Sequence, residues 1–121
     1  MQKPFQVFRN DEANLAFADG AATGSVLHRM VDETFSEAMG AGKFRVHQSP
    51  SPLVLPYDEI AICLEGALFL TVDGVRNELK VGDFAWMPKG TDVIFDGENA
   101  VAFYGAYPVD WRARAEAAKA D

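Results

Sequence analysis

Two glycine-anchored spacings constrain this chain more than any other feature. Glu59 is followed by six residues and then Gly66, and Gly82 by five residues and then Pro88-Lys89-Gly90. Glycine reaches turn conformations closed to other residues, and proline stiffens a turn before the next extended piece. Between these fixed points lie apolar runs too short for ordinary helices, at residues 60–64, 68–72 and 84–87. Val72-Asp73-Gly74-Val75 sits among them with the Asp-Gly signature of a two-residue hairpin turn. Such a pattern calls for short antiparallel strands folded back on one another.

The flanking sequence extends the same reading. Residues 25–32 alternate as a strand, and residues 35–42 read as a turn ending in Gly40-Ala41-Gly42. Residues 43–48 form a second strand, with Phe44 and Val46 on one face and Lys43, Arg45 and His47 on the other. Residues 49–52 read as a loop because Pro50 and Pro52 remove donors and fix φ; residues 53–56 are a short extended piece. Further strands are expected at 59–64, 67–72, 76–81, 84–87, 91–96 and 100–107, the last two joined by Gly97-Glu98-Asn99. Residues 111–119 are Ala-rich, with Arg112 and Glu116 one turn apart, and predict a short C-terminal helix. Residues 1–24 form an irregular arm that Phe5, Phe8 and Phe17 could anchor. The expectation is an all-β barrel or jelly roll in one domain over 1–121: arm 1–24, barrel 25–110, tail 111–121.

Composition narrows the function classes. At 121 residues and 49% hydrophobic, the chain can bury a real core. With 11 Lys+Arg against 18 Asp+Glu, its net charge of −7 and lack of a basic cluster disfavour a nucleic-acid partner. The start has no apolar signal region, and no apolar run reaches membrane-span length. Cys63 is the only cysteine and cannot form an internal disulfide. These features together predict a cytoplasmic protein without a membrane partner.

Glu59-x6-Gly66 and Gly82-x5-Pro88-x-Gly90 are similar to the two sequence motifs of cupins, small double-stranded β-helix barrels. More narrowly, residues 25–112 resemble the cupin domain of the ethanolamine-utilisation EutQ-like family. The resemblance rests on Met39-Gly40-Ala41-Gly42, Tyr57-Asp58-Glu59-Ile60 and Leu64-Glu65-Gly66. The run from Phe84 to Gly90 and Tyr107-Pro108-Val109-Asp110-Trp111 complete it. It implies a jelly-roll fold and a small polar metabolite from amine or carboxylic-acid catabolism as ligand. It also implies pairing of two copies, with the arm at Phe5 and Phe8 crossing to cover a sheet edge. Microcompartment association and acetate-kinase activity are described for that family, whose members carry an additional N-terminal region where this chain has a short arm.

The resemblance also fixes where a metal would sit. A metal-binding cupin places a His-x-His pair before the glutamate and a third histidine after the Pro-x-Gly. Those positions hold Leu53, Leu55 and Val93, which donate no electron pair. Of that set Glu59 alone remains, so the expectation is no metal cofactor. The alternative is a divalent metal ion at a rearranged site built on His47 and Glu59, with Asp58 or Tyr57 nearby.

Strand parity puts Tyr57 and Glu59 on one face, which in a cupin lines the cavity. A carboxyl inside an apolar barrel has a raised pKa and suits general acid or base work, with Tyr57 as hydrogen-bond partner or acid. Those two are the expected catalytic residues. Glu65 shares their parity, and His47, Trp86, Phe95 and Tyr104 join it as candidate ligand-binding residues. His28 reads as a core or edge histidine, Asp58 as a cap or surface charge, Lys89 as a turn residue and Cys63 as a core thiol. Three functions stay open: a metal-independent isomerase, lyase or hydrolase using Glu59 and Tyr57; a non-catalytic ligand-binding cupin; and a metalloenzyme with a non-standard His47/Glu59 site.

Overall fold

The computed structural model of the chain describes residues 2–120. Seven strands make up its body: β1 (Gly24–Val31), β2 (Gly40–His47), β3 (Ser51–Val54), β4 (Asp58–Val72), β5 (Val75–Leu79), β6 (Phe84–Met87) and β7 (Asp92–Tyr107). A single helix, α1 (Trp111–Ala120), follows them. Every strand pairing is antiparallel. The long strands β4 and β7 pair from Asp58↔Tyr107 to Val72↔Val93 and form the spine of both layers. One layer runs β1-β2-β7-β4-β6 and the other β3-β7-β4-β5. This is the jelly-roll barrel with a short C-terminal helix that the motif spacings predict.

The pairs of strands expected on either side of Gly66 and of Gly97-Glu98-Asn99 are each one continuous strand. The breaks in pattern at those glycines are bulges, not chain reversals: the β4–β7 register shifts between Cys63 and Ala67. Gly66 sits at φ +66, and a Cβ there would run into the carbonyls of Glu98 and Asn99 on β7. Inward parity changes across the bulge, from Glu59, Ala61 and Cys63 to Leu68 and Leu70. On β7 it changes likewise, from Val93 to Ala100, Ala102, Tyr104 and Ala106.

Two further expectations need correction. Gly40, Ala41 and Gly42 belong to β2 and not to a turn; Gly42 is needed because a Cβ there would meet the His28 carbonyl and the Tyr104 ring. The Pro50–Pro52 stretch becomes strand from Ser51, and Pro52 is tolerated because β3 is an edge strand that pairs only with β7. The Asp73-Gly74 turn is as expected: both residues have positive φ, the signature of the hairpin turn that suits the strand twist.

The arm folds onto its own barrel. Asn14 N–H donates to His28 Nδ1 at 2.8 Å, Lys43 Nζ to Asn10 Oδ1 at 2.6 Å, and Arg45 Nη1 to the Leu15 carbonyl at 3.2 Å. The Arg45 guanidinium also lies 3.9 Å from the centre of the Phe17 ring. These contacts lay the arm over the outer face of β1 and β2, where His28, Lys43 and Arg45 point. Residues 10–17 of the arm thus close on their own chain. Phe8 packs on Phe35 and Phe17 is buried, while Phe5 is exposed.

Between the layers lies the core, centred on Val46, Leu55, Ala61, Cys63, Leu68, Leu70 and Val93. Cys63 is fully buried and its Sγ points at the Glu65 carbonyl 3.4 Å away, as a core thiol should. On α1, Arg114 Nε pairs with Asp110 Oδ1 at 2.8 Å, just ahead of the first turn. Among the described residues, no helix is long and apolar enough to cross a membrane.

Candidate functional site

A cavity of about 240 Å³ opens between β1, β3 and the start of β4. Ser25 and Leu27 of β1, Phe44 of β2 and Ser51, Pro52 and Leu53 of β3 line it. Glu59 lines it from the start of β4, Tyr57 from the bend just before that strand, and Phe95 and Tyr104 from β7. Phe44 joins the aromatic residues into one wall: its ring meets Phe95 edge-on at 5.6 Å and lies 6.3 Å from Tyr104. Tyr57 is held from outside by Trp111, whose ring lies 5.7 Å away in an edge arrangement. The start of α1 thus steadies one wall of the site.

Glu59 is the only buried charged residue among those described, at 4% exposure. Among the described residues nothing hydrogen-bonds its carboxylate, so the expected Tyr57–Glu59 hydrogen bond does not form. Desolvation then acts unopposed and pushes the carboxyl from its usual 4.5 up to about 7. Burial, with the nearby Glu59 charge, pushes the Tyr57 phenol up to about 12. Burial also raises Tyr104, against a smaller opposing pull from Arg29. Arg29 itself lines a separate small recess that shares Tyr57 and Tyr104 with the main cavity. Near neutral pH the polar end of the cavity therefore holds two neutral phenols and one carboxyl poised between its two states.

The structure thus gathers Glu59, Tyr57, Phe95 and Tyr104 in one cavity and leaves His47, Glu65 and Trp86 outside it. His47 lies on the opposite face of β2 from Phe44, where its Nδ1 accepts the Asn99 N–H at 2.9 Å and stands 3.8 Å from Glu98 Oε2. It braces the β7 bulge. Glu65 is exposed because the bulge at Gly66 changes the parity that would have turned it inward. Trp86 pairs with Ile60 on the outer face of the barrel and is 59% exposed. Sequence reasoning missed Ser25, Leu27, Phe44, Ser51 and Pro52 as lining residues; alternation along β1 carried the signal for the first two, and the face that Phe44 shares with Val46 carried it for the third. Asp58 is a cap, as expected, taking the Lys89 N–H at 2.8 Å.

The metal positions of the fold are filled with hydrocarbon. Leu53 lines the cavity, while Leu55 and Val93 are buried in the core. Among the described residues no three of His, Cys, Asp and Glu come together as a metal site. Since His47 faces away from Glu59, the rearranged pair does not form either. The residues present do not fit the metal centre of a metal-binding cupin.

Residues 9–113 match the family described as ethanolamine utilisation protein EutQ. The chain belongs to the EutQ family. It is 35% identical over 96 residues to the acetate kinase EutQ of Salmonella typhimurium, a match covering 78% of this chain and 42% of that protein. The chain spans less than half the length of the EutQ proteins it matches in Salmonella, Escherichia coli and Clostridioides difficile. A crystal structure of the Salmonella ethanolamine utilisation protein Q superposes with a TM-score of 0.66 at 31% identity over 70% of each chain. An RmlC-like cupin of Methanocaldococcus jannaschii, a double-stranded β-helix, superposes at 0.67 with 15% identity, over 94% of this chain and 98% of that one. The barrel of this EutQ-family chain is accordingly a cupin.

Proposed function

We propose that the barrel binds a small metabolite in its cavity and that Glu59 exchanges a proton with it, as general acid or base in a metal-independent isomerisation, elimination or hydrolysis. The single observation that carries this reading is a buried carboxyl with no protein partner, facing an otherwise largely apolar cavity. Leaving such a group unpaired costs stability, and a carboxyl that titrates near neutrality suits proton transfer at physiological pH. Tyr57 stays neutral and serves as a hydrogen-bond donor to the bound molecule.

Phosphoryl transfer to acetate, named for the Salmonella relative, finds less support here. That chemistry positions anionic phosphates with cationic groups, and no Lys or Arg lines this cavity. Non-catalytic binding is the second reading. The observation favouring it is that Glu59 is the one carboxyl in the lining, with no second acid or base of matched pKa beside it.

Turnover of a molecule that co-purifies with the protein, identified by native mass spectrometry, separates the two. For a general acid or base, Glu59→Gln lowers that turnover at saturating substrate by roughly 10²–10⁴-fold. An unchanged rate in a folded Glu59→Gln protein ends the catalytic reading.

For the assembly state we propose a homodimer in the cytoplasm. Its support is the exposed apolar face that Ile60, Phe84, Trp86 and Phe103 present on β4, β6 and β7. Sedimentation at micromolar concentration showing only a 13.2 kDa species contradicts it.

A further inference from the structure

What molecule would satisfy this cavity follows from its charges. Glu59 is more than nine-tenths buried, lines the cavity and has no hydrogen-bond partner among the described residues. The remaining polar groups in the lining are the hydroxyls of Ser25, Ser51, Tyr57 and Tyr104, all neutral near pH 7. No Lys, Arg or His lines the cavity. Arg29 lines the separate recess with Glu33, Tyr57 and Tyr104, and its charge acts on those two phenols. His28 and His47 are both engaged on the outer face, by the backbone N–H groups of Asn14 and Asn99.

An anionic ligand would meet a carboxylate and no counter-charge. A purely apolar ligand would leave the carboxylate dry and unpaired, the costliest state for it. A small organic cation removes both difficulties: its N–H donors and charge pair with Glu59, and aromatic rings attract cations through their quadrupoles. Four such rings, Phe44, Tyr57, Phe95 and Tyr104, line the same space. The apolar remainder of the cavity, with Leu27, Pro52 and Leu53, suits a short carbon body.

We propose that the cavity is selective for small primary ammonium ions, with the charged head on Glu59 and the carbon body among the aromatic wall. This rests on the reading of the cavity as a metabolite site and narrows its ligand class.

The test uses the whole chain and three probes sharing one carbon body: n-butylammonium, 1-butanol and butyrate, each titrated calorimetrically. The expected result is binding of n-butylammonium at least about tenfold tighter than 1-butanol, the gain of one desolvated charge pair, with butyrate silent. Because the carboxyl titrates near 7 while an aliphatic amine stays protonated, ammonium affinity should fall roughly tenfold from pH 8 to pH 6. Glu59→Gln, checked by its melting curve, should bring n-butylammonium down to the level of 1-butanol. If 1-butanol or butyrate binds as tightly as the ammonium ion, or if folded Glu59→Gln keeps the ammonium preference, the assignment is overturned while the cavity reading stands. If none of the three binds at tens of millimolar, both fall.

Discussion

The inner and outer faces of the layer formed by β2, β7, β4 and β6 invert the usual distribution of residues. Inside, small apolar side chains (Ala61, Cys63, Ala102, Ala106) surround one carboxyl, Glu59, at 4% exposure. Outside, Phe84 is 65% and Trp86 59% exposed, beside Ile60, Phe103 and Tyr107. Register joins them: Ile60 lies opposite Trp86, and Ile62 opposite both Phe84 and Phe103. Neither arrangement helps the isolated barrel. Burying the carboxyl costs desolvation, and a contiguous apolar face leaves surface in water. Stability alone explains neither, and the two point to different uses: the inner face to a ligand, the outer face to another protein surface.

The largest expected effect concerns the bulge that sets which residues face inward. Gly66→Ala places a methyl against the carbonyls of Glu98 and Asn99 at a positive φ. It should destabilise the protein by roughly 3–5 kcal/mol, as close backbone contact and strain combine. Urea unfolding that shows a loss below about 1 kcal/mol would break the account of how β4 turns Glu59 in and Glu65 out.

Next comes the stability of the inner face against pH. Below about 4.5 the Glu59 carboxyl is protonated both folded and unfolded and carries no penalty. Between 4.5 and 7 the unfolded chain releases the proton while the fold still holds it, so stability is lost as pH rises through that window. Above 7 the full penalty remains, about 3 kcal/mol for the two values. Glu59→Gln removes this term. The variant should be about 2–3 kcal/mol more stable than the parent at pH 8 and within about 1 kcal/mol of it at pH 4. A pH-independent difference contradicts the buried, unpaired carboxyl.

The smallest effect belongs to the outer face. Trp86→Ser removes an aromatic ring already largely in water, so monomer stability should change by less than about 1 kcal/mol. Self-association, followed by sedimentation, should weaken. A large drop in monomer stability would mean that the ring packs on the barrel more than its exposure indicates.

How much of this was legible beforehand follows from the same residues. The hairpin at Asp73-Gly74, the strand-rich class and the shared face of Tyr57 and Glu59 follow from local turn chemistry and alternation, which a sequence states directly; that this face is the inner one is what the resemblance to cupins implies. Glu65 and the fused strands β4 and β7 do not. A bulge keeps a strand continuous while changing its parity, and glycine marks a bulge and a turn alike. Trp86 reads as a candidate ligand-binding residue, but its position is decided by which face of β6 meets β4, a matter of long-range register. Alternation along β2 puts His47 on the face away from Phe44, which by itself tells against its pairing with Glu59. The cavity member Ser51 is a small hydroxyl between two prolines with no distinctive pattern, and only the pairing of β3 with β7 brings it to the cavity.

The most direct measurement is the titration of Glu59 itself, followed through the side-chain carboxyl carbon in a ¹³C-glutamate-labelled protein and assigned by its absence in Glu59→Gln. A buried, unpartnered carboxyl facing the cavity should titrate with a midpoint of about 7. A midpoint at the usual 4.5 would mean that the group is solvated or paired, and would contradict the proton-exchange site on which the account rests.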